Sequence, residues 1–242
     1  MHGSRPDLFQ LRQLIFAAVM ITGAIAILAG VALFSASHGF SQSAAMTIAI
    51  AKMEFGAPPA GFPFARTGQG DVGRWIVVSD ETSSAGRAIE QSSTDRTDYR
   101  FPLAILDSVV AKNVDLSLKF KPVAGQVDQA GGIAVRVLDG DNYYVVRANA
   151  LEDNVRFYRV VKGRRQQIDG VDTKVSSGEW HSLGLKAQGE KFIIEFDGKT
   201  LFTTSDKTFA EAGKVALWTK ADSVTRFDQI AIDVLPEQEQ RK

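Results

Sequence analysis

Between Asp128 and Asn154 the chain reads DQAGGIAVRVLDGDNYYVVRANALEDN, and few folds accept such a stretch. Gly131 to Leu138 and Tyr143 to Asn149 are rich in Val, Ile and Tyr, side chains that suit a pleated strand. Asp139-Gly140-Asp141-Asn142 between them is turn chemistry: Gly and Asn accept positive φ, and Asp and Asn side chains bond their own backbone. The stretch predicts a β-hairpin. With a four-residue loop, Leu138 faces Tyr143, Arg136 faces Val145, Ala134 faces Arg147 and Gly132 faces Asn149. Side chains alternate faces along a strand. One face then carries Ile133, Val135, Val137, Tyr144, Val146 and Ala148, which is core-like throughout. The other carries Gly132, Ala134, Arg136, Leu138, Tyr143, Val145, Arg147 and Asn149. There the two smallest residues lie opposite Arg147 and Asn149, leaving a shallow floor under long polar side chains. A solvated sheet face with two ordinary arginines fits the same alternation.

The rest of the chain after residue 55 repeats this grammar. Val114, Leu116, Leu118 and Phe120 alternate with polar residues, as in a half-buried strand. Val155 to Val161 and Arg164 to Ile168 flank Lys162-Gly163. Phe192 to Phe196 and Thr200 to Thr204 flank Asp197-Gly198, the strongest short hairpin signal in the chain. Arg74 to Val78, Arg87 to Gln91, Tyr99 to Leu106, Glu179 to Leu185, Lys214 to Trp218 and Phe227 to Leu235 are further strand candidates. Many short strands spaced by turn residues predict an all-β antiparallel sandwich or barrel. Gly68 to Gly73 matches G-x-G-x-x-G, but a Pro-rich loop precedes it and a strand follows. A dinucleotide site needs a strand before and a helix after.

Leu14 to Phe34 is uncharged and, at 1.5 Å per residue, about 30 Å long as a helix, the thickness of a bilayer core. Arg5 and Arg12 precede it, and no Lys or Arg follows until Lys52. The positive-inside rule puts residues 1–13 in the cytoplasm and the domain outside, periplasmic or at the cell surface. A cleaved signal peptide ending near Ser35-Ala36-Ser37 is the alternative, which would leave a secreted protein. Residues 35–54 read as a linker with a possible edge strand from Met46, residues 55–235 as the sandwich, and residues 236–242 as a charged tail.

Composition narrows the chemistry. Lys plus Arg and Asp plus Glu balance at 28 each, with no basic run, so nothing points to a nucleic-acid partner. Cysteine is absent and histidine numbers three, which excludes a thiol nucleophile and a transition-metal cluster. His181 shares a face with Leu183 and Leu185 and reads as a core or rim histidine. Asp71, Asp139, Asp141, Asn142, Asp222 and Asp228 offer oxygen ligands for calcium, yet the twelve-residue calcium loop is missing and turn formation explains them equally. No metal and no cofactor is assigned. The E-x-D-x-E pattern of sandwich glucanases is absent; Glu195 and Asp197 lack the third acid, and Asp197 opens a turn. Glu90, Glu152 and Asp153 stand as isolated carboxylates, the last two in an apparent solvated turn.

Gly131-Gly132 with Arg136, Asp141-Asn142-Tyr143-Tyr144, Trp180-His181, Asp197-Gly198, Gly213-Lys214-Val215 and Phe227-Asp228 recur in an order that resembles the laminin-G-like, concanavalin A-like jelly rolls. Among these the chain looks most like the bacterial 3-keto-disaccharide hydrolase domain family, over roughly residues 55–235. The resemblance implies a two-sheet jelly roll with a concave face suited to glycans. Gln91, Arg136, Tyr143, Arg147, Asn149, Trp218 and Lys220 are then the expected ligand residues on a membrane-tethered, non-catalytic carbohydrate-binding domain. A hydrolase of oxidised disaccharides using Glu90 as general base is the alternative, and an envelope protein-interaction domain the second. No catalytic residue of the family maps onto a position of this chain.

Overall fold

A computed structural model describes residues 45–237, which belong to a unit beginning at Gln42. The Leu14 to Phe34 segment and most of the expected tail lie outside the described residues. Among the described residues no helix is long and apolar enough to cross a membrane.

Fifteen strands run in chain order: β1 (Met46–Thr47), β2 (Phe64–Gly68), β3 (Trp75–Ser79), β4 (Arg87–Gln91), β5 (Arg100–Ala111), β6 (Val114–Ala124), β7 (Ala130–Asp139) and β8 (Asn142–Asn149). They continue as β9 (Asn154–Val161), β10 (Arg164–Asp172), β11 (His181–Gln188), β12 (Lys191–Phe196), β13 (Lys199–Ser205), β14 (Gly213–Thr219) and β15 (Val224–Val234). One sheet has the order β13-β12-β11-β6-β15-β4-β3, with β1 also pairing β15. The other has the order β10-β9-β8-β7-β14-β5-β2. Every pairing is antiparallel, so the all-β two-sheet sandwich stands. Arg87 to Gln91 is a strand with the expected bounds. β2, inside the Gly- and Pro-rich loop, carried too short a pattern to be foreseen.

The core lies between the sheets. Leu116, Leu118 and Phe120 of β6 meet Ile133 and Val135 of β7, Tyr144 and Val146 of β8, and Phe157, Leu183, Phe192 and Phe227. The alternation of the sequence placed these side chains, and each contributes about 1.5–3 kcal/mol on burial. His181 is the rim histidine its spacing predicts: its ring stacks on Phe196, and Nδ1 lies 2.8 Å from Asp197 Oδ2.

The central hairpin departs from its expected register. Asp139 pairs Asn142, so the loop holds two residues rather than four. Gly132 faces Arg147, Ala130 faces Asn149 and Ala134 faces Val145, a shift of two residues from the expected pairs. A shift of two preserves the face of every residue up to Val135. Pairing then breaks until Asp139, and Arg136 sits at φ 50° in this bulge. A bulge adds residues to one strand and re-aims its side chains. Arg136 therefore turns inward and Val137 outward, the reverse of the alternation. The neighbouring strand approaches so closely that a Cβ on Gly213 would stand 2.5 Å from the Arg136 carbonyl carbon.

Candidate functional site

The β10-to-β2 sheet curls until its ends meet. Five strand spacings separate β10 from β5, about 24 Å if the sheet were flat. Yet Arg165 of β10 places its Cζ 4.8 Å from the ring centroid of Phe101 on β5. Thr67 Oγ1 of β2 donates to the Gly140 carbonyl in the β7–β8 turn at 2.5 Å, and Tyr99 Oη donates to the Gly163 carbonyl in the β9–β10 turn at 2.9 Å. The face expected to form an open ligand floor is thereby folded over itself. Its side chains, Phe101, Leu103, Ala134, Val145, Tyr158 and Trp218 among them, form a second hydrophobic cluster.

The seven expected ligand residues separate on this frame. Tyr143 and Trp218 lie inside the second cluster. Trp218 Nε1 donates to Tyr143 Oη at 3.2 Å, and Trp218 stacks on Phe101 at 5.3 Å. Burial pushes the Tyr143 phenol well above its ordinary pKa. Gln91 is a brace on the other sheet: its amide donates to the Ser93 and Ser223 carbonyls and its oxygen accepts from the Arg74 and Ser93 amides. Arg136 donates to the carbonyls of Lys112, Phe209 and Gly189 inside the sandwich. These four are committed to packing and are not at the surface where a ligand arrives.

Arg147, Asn149 and Lys220 do come together, at one end of the curled sheet where Glu152 and Asp98 are exposed. Arg147 Nη1 donates to Asn154 Oδ1; Nη2 donates to Glu152 Oε2 at 2.8 Å and to Tyr158 Oη at 3.1 Å. Beside this group, Asn149 Nδ2 donates to Asp128 Oδ1 at 2.8 Å. Lys220 Nζ pairs with Asp128 Oδ2 at 2.7 Å and with Asp98 Oδ1 at 3.2 Å. Arg147 is 4% exposed, whereas the side chains of Glu152 and Asp98 are 44% and 77% exposed. Buried donors thus hold the inner edges of two carboxylates whose outer oxygens reach solvent. Burial would raise the Glu152 carboxyl, but Arg147 and Asn154 overcome it and hold it below its ordinary value. Burial would lower the Lys220 ammonium, but Asp128 and Asp98 overcome it and keep it charged. The cluster sets carboxylate acceptors and cationic donors side by side.

Glu152 is the exposed turn residue its sequence suggests, and it also accepts from Arg147 Nη2. Asp128, Asn154, Tyr158 and Asp98 carried no spacing signal, because three separate segments bring them here. Glu90 lies elsewhere: on the outer side of the other sheet it accepts from Arg226 Nε at 2.7 Å, so it is no free base. Three of the acids considered for calcium are spent on loops. Asp139 accepts from the Asp141 amide and from Asn142, Asp222 from the amides of Gln126, Val127 and Asp128, and Asp228 from Ser84. Among the described residues no group of three His, Cys, Asp or Glu stands together as a metal would require.

A curled sheet backed by a second antiparallel sheet places the chain in the jelly-roll class of all-β sandwiches. Residues 108–235, more than half of the chain, match the galactocerebrosidase C-terminal lectin domain family, and the chain belongs to that family. The resemblance to 3-keto-disaccharide hydrolases has no counterpart in this match. The carbohydrate binding module CBM66 from Bacillus subtilis superposes with a TM-score of 0.55 at 20% identity, covering 70% of this chain and 94% of that one. A Bacillus subtilis protein of unknown function with a galectin-like fold superposes with a TM-score of 0.52 at 8% identity, covering 72% and 90%. At such identities the likeness is one of fold. No curated protein matches the chain in sequence.

Proposed function

We propose that this protein is a carbohydrate-binding domain held outside the cytoplasm, with its ligand seated at one end of the curled sheet on Arg147, Glu152, Lys220, Asp98 and Asn149. The observation that carries the reading is the clustering of buried Arg147 and partly buried Lys220 with two exposed carboxylates at that end. Sugar hydroxyls both donate and accept, so they bind where ionised acceptors and donors alternate. Because aromatic side chains fill the sheet behind the cluster, the ligand enters end-on rather than lying across the strands. The Leu14 to Phe34 segment supplies the tether. Titration of the full-length protein against an array of oligosaccharides tests this. Binding should be found and should weaken at least tenfold in Glu152→Gln, which keeps the shape but removes the charge. Equal binding by Glu152→Gln and the parent would remove the ligand from this end.

Hydrolysis of a 3-keto-disaccharide is the second reading, and one observation favours it: Glu152, though paired with Arg147, has a 44% exposed side chain that a substrate can reach, whereas Glu90 is buried. Release of free sugar from a 3-keto-glucoside, abolished in Glu152→Gln, would support it.

A further inference from the structure

Two guanidinium groups flank one ring at the inner edge of this site. Arg147 Cζ lies 5.7 Å from the Tyr158 ring centroid, and Arg165 Cζ lies 4.4 Å from it. Arg147 has given both its terminal nitrogens to Asn154, Glu152 and Tyr158, but its Nε–H is buried and meets no acceptor. Arg165 Nη1 is also buried without an acceptor. Buried donors on charged groups are nearly always satisfied, so each of these two N–H groups leaves room for an acceptor that a bound group would supply.

The charges ask for the same thing. Glu152 compensates Arg147 at 2.8 Å, whereas among the described residues no carboxylate lies within ion-pair distance of Arg165. Arg165 is held instead by the faces of Tyr158, Phe101 and Trp218, the last at 6.0 Å. Aromatic faces attract a cation but do not neutralise it. Arg165 is thus the cation of this cluster without a carboxylate partner, and both arginines keep an unmet N–H group. An oxyanion with more than one oxygen answers both needs.

We infer that the sugar taken by this site is anionic, carrying a carboxylate or sulfate that docks between Arg147 and Arg165 at Tyr158. The inference rests on the carbohydrate-binding reading above and specifies its ligand class. Glu152, Lys220 and Asp98 then hold the neutral hydroxyls of the same sugar.

Calorimetric titration of the full-length protein decides it with four probes: galacturonate oligosaccharides, their methyl esters, and sulfated and unsulfated galactose oligosaccharides. The acid or the sulfated sugar should bind at least tenfold tighter than its uncharged counterpart, and rising salt should erode that preference. Preference for acid over ester assigns a carboxylate; preference for sulfated over unsulfated sugar assigns a sulfate. Arg165→Gln should abolish the preference while leaving binding of the uncharged probes in place. Equal affinity for charged and uncharged members of both pairs would overturn the anionic-sugar inference and leave the carbohydrate-binding reading standing. Binding of none of the four, with none on a wider array, would overturn both. The parent protein alone gives these comparisons, so they hold even should Arg165→Gln fail to fold.

Discussion

Arg136 and Tyr144 meet inside the sandwich, with Arg136 Cζ 5.9 Å from the Tyr144 ring centroid, although strict alternation along their strands puts them on opposite faces. The bulge at Arg136 produces the meeting, and the guanidinium then ties three segments through the carbonyls of Lys112, Phe209 and Gly189. Arg136→Ala should therefore destabilise the fold by roughly 3–5 kcal/mol, since it strands buried carbonyls and leaves a cavity. Chemical denaturation of the full-length protein measures this. A loss below about 0.5 kcal/mol would place Arg136 at the surface after all.

Arg147 couples stability to binding. Its removal orphans Asn154 and Tyr158 but leaves Glu152 free to solvent. Arg147→Ala should cost about 1.5–3 kcal/mol of stability and abolish measurable sugar binding. Thermal melts and titration of the same variant separate the two effects, and an unchanged affinity would count against the site.

On the other sheet Asp80 is locked by Lys121 Nζ at 2.5 Å and Arg226 Nη1 at 2.9 Å. Burial alone would raise its carboxyl, yet Lys121, Thr82 and Arg226 hold it far below the ordinary value of 3.8. Asp95 is lowered to about 2, by the amides of Asp71 and Thr97 first. A carboxylate whose pKa is depressed by folding stabilises the fold above its unfolded pKa, and that stability drains away as pH falls through the folded one. Stability should thus decline from about pH 4 downward. Asp80→Asn should lower stability at neutral pH by roughly 1.5–3 kcal/mol and flatten the decline, as urea titrations at a series of pH values would show. A parallel decline in parent and variant would remove Asp80 from the account.

Gly132 lies between Arg147 and Trp218 across three strands. A Cβ there would stand 2.6 Å from the Val146 carbonyl oxygen and 3.1 Å from Arg147 Cβ. Gly132→Ala should cost about 1–3 kcal/mol and weaken binding by displacing Arg147. A variant as stable as the parent would mean the strands yield freely at this point.

Leu14 to Phe34 should remain on the mature protein as its membrane tether. Intact mass of protein extracted from membranes is the measure, and a mature N-terminus near His38 would convert the tether into a cleaved signal.

Alternation and turn chemistry were enough to identify most of the strands, an antiparallel sandwich or barrel, and much of the inner face of β6, β7 and β8; the family resemblance added the two sheets. These signals are local: a strand's period of two and an Asp-Gly turn act within a few residues. Ile133, Val135, Tyr144 and Val146 were therefore legible. Arg147 and Asn149 were legible as polar residues of one face, but their partners were not. The curl of the seven-stranded sheet was decided only in three dimensions. It closed an open floor over Tyr143 and Trp218, brought Arg165 of β10 onto Phe101 of β5, and joined Asp98, Asp128, Glu152 and Lys220 from four loops. Nor could alternation anticipate the bulge that turned Arg136 inward, because an arginine at positive φ leaves no mark in a sequence. Local periodicity fixes which side chains a strand can bury; the curvature of the whole sheet fixes which of its faces solvent can still reach.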